Sequence, residues 1–295
     1  MRAELIQAAE LLRSSEPAAM EQALGLLQHT VYSFSMKICG HPEDAEDTMQ
    51  EVLYRSLPHL QRLEEPQALA VWLYTVTRNR CWRMRGKGGK AARQILSLDA
   101  LMPTEEELSR LLIDPARSPE DVAVGREESR LLQRAILELP AELRIVLVLS
   151  DMEELNSEQV GRILELKPGT VRVRLHRARL ALRKGINHLM EQDRGVAPTA
   201  SRPSRQPNSE CRAVFANLSE YLDRQMEPVS CEKLRAHIHA CPACVAFLGE
   251  LRRGIDRCRK VDATCDAALT DRLRKMLTEE YLRLLSTAGR TQDAR

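Results

Sequence analysis

Residues 156–185 read NSEQVGRILELKPGTVRVRLHRARLALRKG, in the order helix, break, second helix. Asn156 or Ser157 is placed to cap a short first helix, with Val160, Ile163 and Leu164 on its buried side. Pro168 and Gly169 break the pattern, and Thr170 begins a second helix that turns Val171, Leu175 and Ala178 inward. The other faces of that helix carry Arg172, Arg174, His176, Arg177 and Arg179. Two short helices joined by a tight turn, the second one basic, describe a DNA-reading helix-turn-helix. Arginine suits this task because its planar fork binds guanine edges or clamps phosphates. A merely solvated basic face would explain the charge, but not helix, break and basic helix in that order. His176 alone says little: a solitary exposed histidine on such a face touches a phosphate or nothing.

The rest of the chain fits a helical protein of several parts. Its 295 residues are enough for two or three domains. Aromatics are only 3%, while Leu, Ala, Arg and Glu dominate, which favours helix over sheet. The longest apolar run, Ala68–Tyr74, is too short to cross a bilayer, and MRAELIQAAELL at the start lacks the core of an export signal. A cytoplasmic location is expected, with no membrane partner. The net charge of +2 conceals strong segregation. Arg78–Arg93 and Lys167–Lys184 each carry seven bases and no acid, whereas Glu43–Glu51 carries five acids and no base. Six of the eight cysteines fall after residue 210. In a reducing compartment, such clustering points to metal or redox chemistry before structural disulfides.

Residues 1–85 read as helices throughout, and Gly86, Gly88 and Gly89 end that block. Residues 100–127, with Pro103, Pro115 and Pro119, read as a linker holding at most a short helix around Glu105–Leu112. Helical periodicity returns from Glu127 to Gln192 with breaks at Pro140 and Pro168. Residues 195–209, GVAPTASRPSRQPNS, have the composition of a flexible tether. A last helical block holds the cysteines. No paired catalytic carboxylates, nucleophile triad or phosphate loop stands out, and GKGG at Gly86 lacks the spacing of one, so no enzyme is expected.

The string HPEDAEDTMQEVLYRSLPHL with VWLYTVTRNR resembles domain 2 of extracytoplasmic-function (ECF) sigma factors, of the sigma-70 family. LPAELRIVLVLSDMEELNSEQVGRILELKPGTVRVRLHRARLALRK resembles their domain 4. The likeness covers about residues 25–95 and 128–187, in the family's order. It implies that Asp44, Glu46, Asp47, Gln50 and Glu51 dock on the RNA polymerase core, where an acidic face suits a basic mate. It implies that Arg78, Asn79 and Arg80 engage the −10 element of promoter DNA, with Trp82 the more exposed aromatic and Trp72 in the core. Basic and aromatic side chains suit a melted strand, by phosphate attraction and stacking. Thr170, Arg172, Arg174 and Arg177 then read the −35 element. Val173 departs from the serine common at its position.

In the tail, HIHACPAC at 237–244 offers two histidines and two cysteines. His237, Cys241 and Cys244, spaced four and three apart, lie near one face of a helix that Pro242 loosens, and His239 points away. Three ligands leave a tetrahedral zinc site one short. Cys231 is six residues before His237 and falls on another face, so Cys211, from the preceding helix, completes the better set. The tail, with Tyr221-Leu222-Asp223, also resembles the zinc-binding domain of anti-sigma factors. A Cys-x-x-Cys redox enzyme lacks its strand context here. Cys258 and Cys265 are expected to be bystanders or buried thiols.

The expected fold is all-α: a domain 2 bundle over 1–95, a linker over 96–127, a domain 4 helix-turn-helix over 128–190, a flexible tether over 191–209, and a small helical zinc-binding domain over 210–285. The expected function is a sigma factor directing promoter-specific initiation, regulated by its own zinc-binding domain. That domain would fold back on the sigma domains, with Leu269, Leu273, Met276, Leu277 and Leu284 as a contact helix. The alternatives are a metal- or redox-responsive helix-turn-helix regulator that never joins polymerase, and an interaction protein whose zinc tail binds an external partner.

Overall fold

In the computed structural model every regular element among the described residues is a helix, as expected; these residues are 1–14, 16–60, 63, 65–86, 97–113, 125–193 and 209–292. Gly88 and Gly89 lie outside them, as do residues 194–208 of the expected tether, while its residues 191–193 still belong to a helix and Ser209 begins the next one. The chain divides into two compact units: residues 1–91, 148–168 and 262–295, and residues 92–147 and 169–261.

The first unit is built on α2 (Pro17–Cys39), whose Leu24, Leu27, Val31, Phe34 and Ile38 are buried. It stops at Gly40, whose φ of 80° is left-handed and whose N–H reaches back to Met36 O. Around it pack α1 (Ala3–Leu12), α3 (Pro42–Leu60), α4 (Pro66–Gly86) and α14 (Ala267–Gln292). Pro42 starts α3, and Glu43 and Asp44 in its first turn face the positive end of the helix dipole. Buried Ala45, Met49, Val52, Leu53 and Leu57 recur on one side of α3. Of the five residues expected to form a contact stripe on α14, Leu273 and Leu277 are buried, and Tyr281 extends them at the same spacing. Met276 is exposed because it falls off that spacing.

A charged residue sits inside this unit. Glu153 follows a single π-helical turn (Val148–Met152) and is 1% exposed. Its carboxylate accepts from Lys37 Nζ at 2.8 Å and from the Tyr74 hydroxyl at 2.6 Å, with Arg2 Nε at 3.5 Å. Burial, then the adjacent carboxylate, pushes the Tyr74 hydroxyl well above its ordinary pKa, so it stays a donor. Next comes α9 (Ser157–Leu164), capped by Asn156 in a reciprocal box with Gln159. It ends at Glu165 in the left-handed region, φ 58°. Gly161 is required there, because a Cβ would lie 2.7 Å from Leu166 O.

The second unit contains α5 (Leu98–Leu101), α6 (Glu105–Ile113), α7 (Gly125–Glu138), α8 (Ala141–Leu147), α10 (Pro168–Asp193, from Gly169 on), α11 (Ser209–Leu222), α12 (Pro228–Ala240) and α13 (Pro242–Lys260). The helix expected to begin at Thr170 begins at Pro168, whose fixed φ and missing N–H suit the first helical position. The short helix expected near Glu105 is α6, and it packs on α13. Leu101 and Leu108 enter one apolar cluster with Leu180, Phe215, Leu218, Phe247 and Leu251. The Phe215 and Phe247 rings meet at 4.7 Å and 60°. Proline and acid content hid this apolar contribution of the linker, which among the described residues comes from Leu101 and Leu108, with Leu98 and Met102 packed against the cluster.

Candidate functional site

The C-terminal helices bring four ligand atoms together. Cys211 is in the first turn of α11, His237 in the last turn of α12 and Cys244 in the first turn of α13. Cys241 is the hinge between the last two, with φ −116° and ψ 104°. The expected single face of one helix is thus replaced by a break: Pro242 opens α13, and the extended Cys241 turns its sulfur between two helix ends. The ligand atoms of Cys211, His237, Cys241 and Cys244 all lie within 4.8 Å of one another. Cys211 Sγ is 3.8 Å from Cys241 Sγ and 3.6 Å from His237 Nε2. Zinc–sulfur bonds of about 2.3 Å at tetrahedral angles require sulfurs about 3.8 Å apart, so these residues fit a tetrahedral Cys3His zinc site. His239 is exposed on α12.

Burial pushes the Cys211 and Cys244 thiols up, whereas at Cys241 burial is outweighed by hydrogen bonds to Cys244, Cys211 and Ala243, which pull the thiol down. Three sulfurs this close ionise together only when a central positive charge offsets desolvation and mutual repulsion. Glu210 Oε2 stands 3.7 Å from His237 Nδ1, on the side of the ring away from the cluster. A carboxylate on that side leaves Nε2, the nitrogen facing Cys211, as the atom that would bind a metal. The spacing of the cysteines gave no sign of Glu210; its place beside Cys211 was the only signal.

On α10, the residues expected to read DNA separate into two sets. Thr170 is exposed and Val173 is 54% exposed. Arg174 and Arg177 are half-buried, with Arg174 3.3 Å from Glu142. Arg172 turns toward α11 and stands 3.9 Å from Glu220. His176 is not the exposed histidine expected: it is buried, with Nδ1 2.9 Å from Ser219 Oγ. Burial, with help from Arg179 and Arg177, lowers its pKa to about 4, so it is neutral at pH 7. Arg179 grips Asp223 with two bonds of 2.9 and 2.8 Å. Arg183 bonds Glu250 at 2.6 Å and Glu107 at 2.8 Å while lying over the Phe247 ring. The amphipathic pattern marked Arg172 and Arg179 as basic surface but could not show that Glu220 stands near the first and Asp223 holds the second.

In the first unit, Asp47 is exposed on α3, and Asp44, Glu46, Gln50 and Glu51 are half-buried. Glu51 is held by Arg80 at 2.5 Å and Arg55 at 3.0 Å. Arg78 is buried rather than open: it donates to Ile163 O, holds Asn79 Oδ1 at 2.6 Å, and stacks 5.1 Å from the Trp82 ring centre. Trp82 is 41% exposed, while Trp72 is half-buried against His59.

Comparisons with known proteins agree with this geometry. Residues 25–90 match the sigma-70 region 2 family, 129–182 match sigma-70 region 4, and 211–244 match a zinc-finger family. The chain is 30% identical to the ECF RNA polymerase sigma factor SigW of Bacillus subtilis over 182 residues, which cover 60% of this chain and 94% of that protein. It is 33% identical over 154 residues to the ECF RNA polymerase sigma factor SigE of Mycolicibacterium smegmatis, covering 52% of this chain and 56% of that protein. The ECF RNA polymerase sigma-E factor of Escherichia coli is 26% identical over 149 residues, or 50% of this chain and 77% of that protein. No helix among the described residues is long and apolar enough to cross a membrane. With a region 2 bundle, a region 4 helix pair and near-complete coverage of a curated relative, the chain belongs to the family of ECF RNA polymerase sigma factors.

Proposed function

We propose that this chain directs promoter-specific transcription initiation and that its zinc-binding C-terminal helices hold it in restraint. Asp44, Glu46, Asp47, Gln50 and Glu51 on α3 meet the polymerase core. Arg78, Asn79, Arg80 and Trp82 on α4 engage the −10 element, and Thr170, Arg172, Arg174 and Arg177 on α10 read the −35 element. Cys211, His237, Cys241 and Cys244 hold one zinc ion, which supplies the crosslink between α11, α12 and α13 that a small apolar core cannot supply alone.

The observation that carries the restraint is the bidentate Arg179–Asp223 pair, in which a basic residue of the region 4 helix is 5% exposed and held by the residue following α11. A covalent tether raises the effective concentration of such a contact to about millimolar, so a weak contact suffices. Run-off transcription with core polymerase, comparing the full chain with one ending near residue 200, tests both parts. Higher activity of the shorter chain is expected. Equal activity, with and without a chelator, would refute the restraint, and no transcription from either would refute the sigma assignment. A regulator that never joins polymerase would fail to co-purify with the core enzyme.

A further inference from the structure

Along α10, Arg172, His176, Arg179 and Arg183 recur at spacings of four, three and four residues, so they form one stripe. Every member of that stripe faces an oxygen. Arg172 stands 3.9 Å from the Glu220 carboxylate, His176 Nδ1 is 2.9 Å from the Ser219 hydroxyl, and Arg179 is forked onto Asp223 at 2.8 and 2.9 Å. Arg183 is shared between Glu250 and Glu107. Thr170, Val173, Arg174 and Arg177 lie on a separate stripe, where Thr170 and Val173 are exposed. Leu180 lies off the inward face marked by Val171, Leu175 and Ala178, yet it is fully buried in the cluster with Phe215 and Phe247. The packing of Leu180 in this cluster accounts for an apolar residue at that position.

We propose that α11 and the residue after it are an intramolecular substitute for DNA phosphates, so that duplex DNA and the C-terminal helices compete for the same flank of α10. The proposal rests on the assignment of α10 as the promoter-reading helix, and it names how the restraint works. The Asp223 carboxylate, forked by Arg179, reproduces the charge and bidentate geometry of a phosphate clamp, and Glu220 adds a second negative charge 3.9 Å from Arg172. Steric exclusion adds to this. A major groove about 12 Å wide admits one helix, itself about 10–12 Å across with its side chains. A second helix bonded to the side of α10 leaves no room for the groove wall, even though Thr170 and Val173 stay open to solvent.

The test is the anisotropy of a labelled mixed-sequence duplex at low salt, where phosphate attraction is independent of sequence. Full-length protein is compared with the full-length double variant Glu220→Gln, Asp223→Asn. About tenfold tighter binding by the variant is expected, because Arg179 is released from its charge-assisted bonds and Arg172 from the nearby Glu220 charge. Unchanged affinity, with helicity and metal content as in the parent, overturns the proposal. Should the variant lose either, amide exchange of α11 in the unmodified protein decides. Saturating duplex should speed exchange there, and unchanged protection overturns the proposal. If truncation near residue 200 stimulates transcription while neither duplex measurement responds, the restraint stands and phosphate mimicry fails. If truncation does nothing, the restraint itself fails.

Discussion

Acidification should loosen the contact between α10 and α11 through His176. Its imidazole is buried, hydrogen-bonded to Ser219, and flanked by Arg179 and Arg177 on its own helix, with the Arg179 charge held by Asp223. Its pKa lies at about 4 when the contact is closed, against an ordinary 6.5 when it is open. The open form therefore binds more protons between those values, so the contact is fully stable above pH 6.5 and weakens as pH falls through the window. The linkage relation gives a loss of about 0.2 kcal/mol at pH 7 and about 2 kcal/mol at pH 5, a shift of roughly 20-fold in the open population. Amide exchange of α11, normalised to intrinsic rates, reads that population at the two pH values. His176→Gln keeps a hydrogen-bonding side chain but cannot titrate, and it shares the metal site of the parent, so its profile subtracts any effect of metal loss. The parent should lose about 20-fold in protection and the variant less than about threefold. Equal losses in both proteins, or a His176 resonance titrating near its ordinary pKa, would refute the reasoning.

Other substitutions separate the metal site, the buried charge and the turn. Cys211→Ser should lower the bound zinc per chain while Cys231→Ser leaves it unchanged, as measured by metal analysis after dialysis. Glu153→Ala should destabilise the first unit by about 3–5 kcal/mol in chemical denaturation, because Lys37 is left buried without its partner. Glu153→Gln, which still accepts from Tyr74, should cost less. Gly161→Ala should cost about 1–3 kcal/mol and lower the melting temperature, since the added methyl meets Leu166 O, which is backbone and cannot swing aside.

Local rules were legible where a short segment determines its own conformation. Asn156 capping α9, the break before Pro168 and the helix near Glu105 could all be read from caps, prolines and periodicity. The clustering of Cys211, His237, Cys241 and Cys244 was legible as a set, although their route together was not. Spacings of four and three suggest one helical face, while the chain instead breaks at Cys241 to aim its sulfur between helices. What could not be read depends on partners distant in sequence. Glu153, in a run of acids, looks like solvated surface until Lys37 and Tyr74 are placed around it. Arg78 matches a DNA-contacting residue, and nothing nearby in sequence announces its bond to Ile163 O. Leu180 breaks the amphipathic pattern of α10, and that irregularity was the one local sign that a second surface covers the helix.

Mechanically, α11 is a beam with a support at either end. Its first turn carries Cys211, whose sulfur a bound zinc would tie to His237, Cys241 and Cys244, and its far end is fixed by Asp223 to Arg179. The two supports are twelve residues apart, about 18 Å at helical rise. A stiff rod held at two points has one orientation, and a rod held at one point can pivot. Release at Cys211 therefore needs no chain of side-chain rearrangements to be felt at Ser219, Glu220 and Asp223: the backbone of the helix carries the displacement there itself.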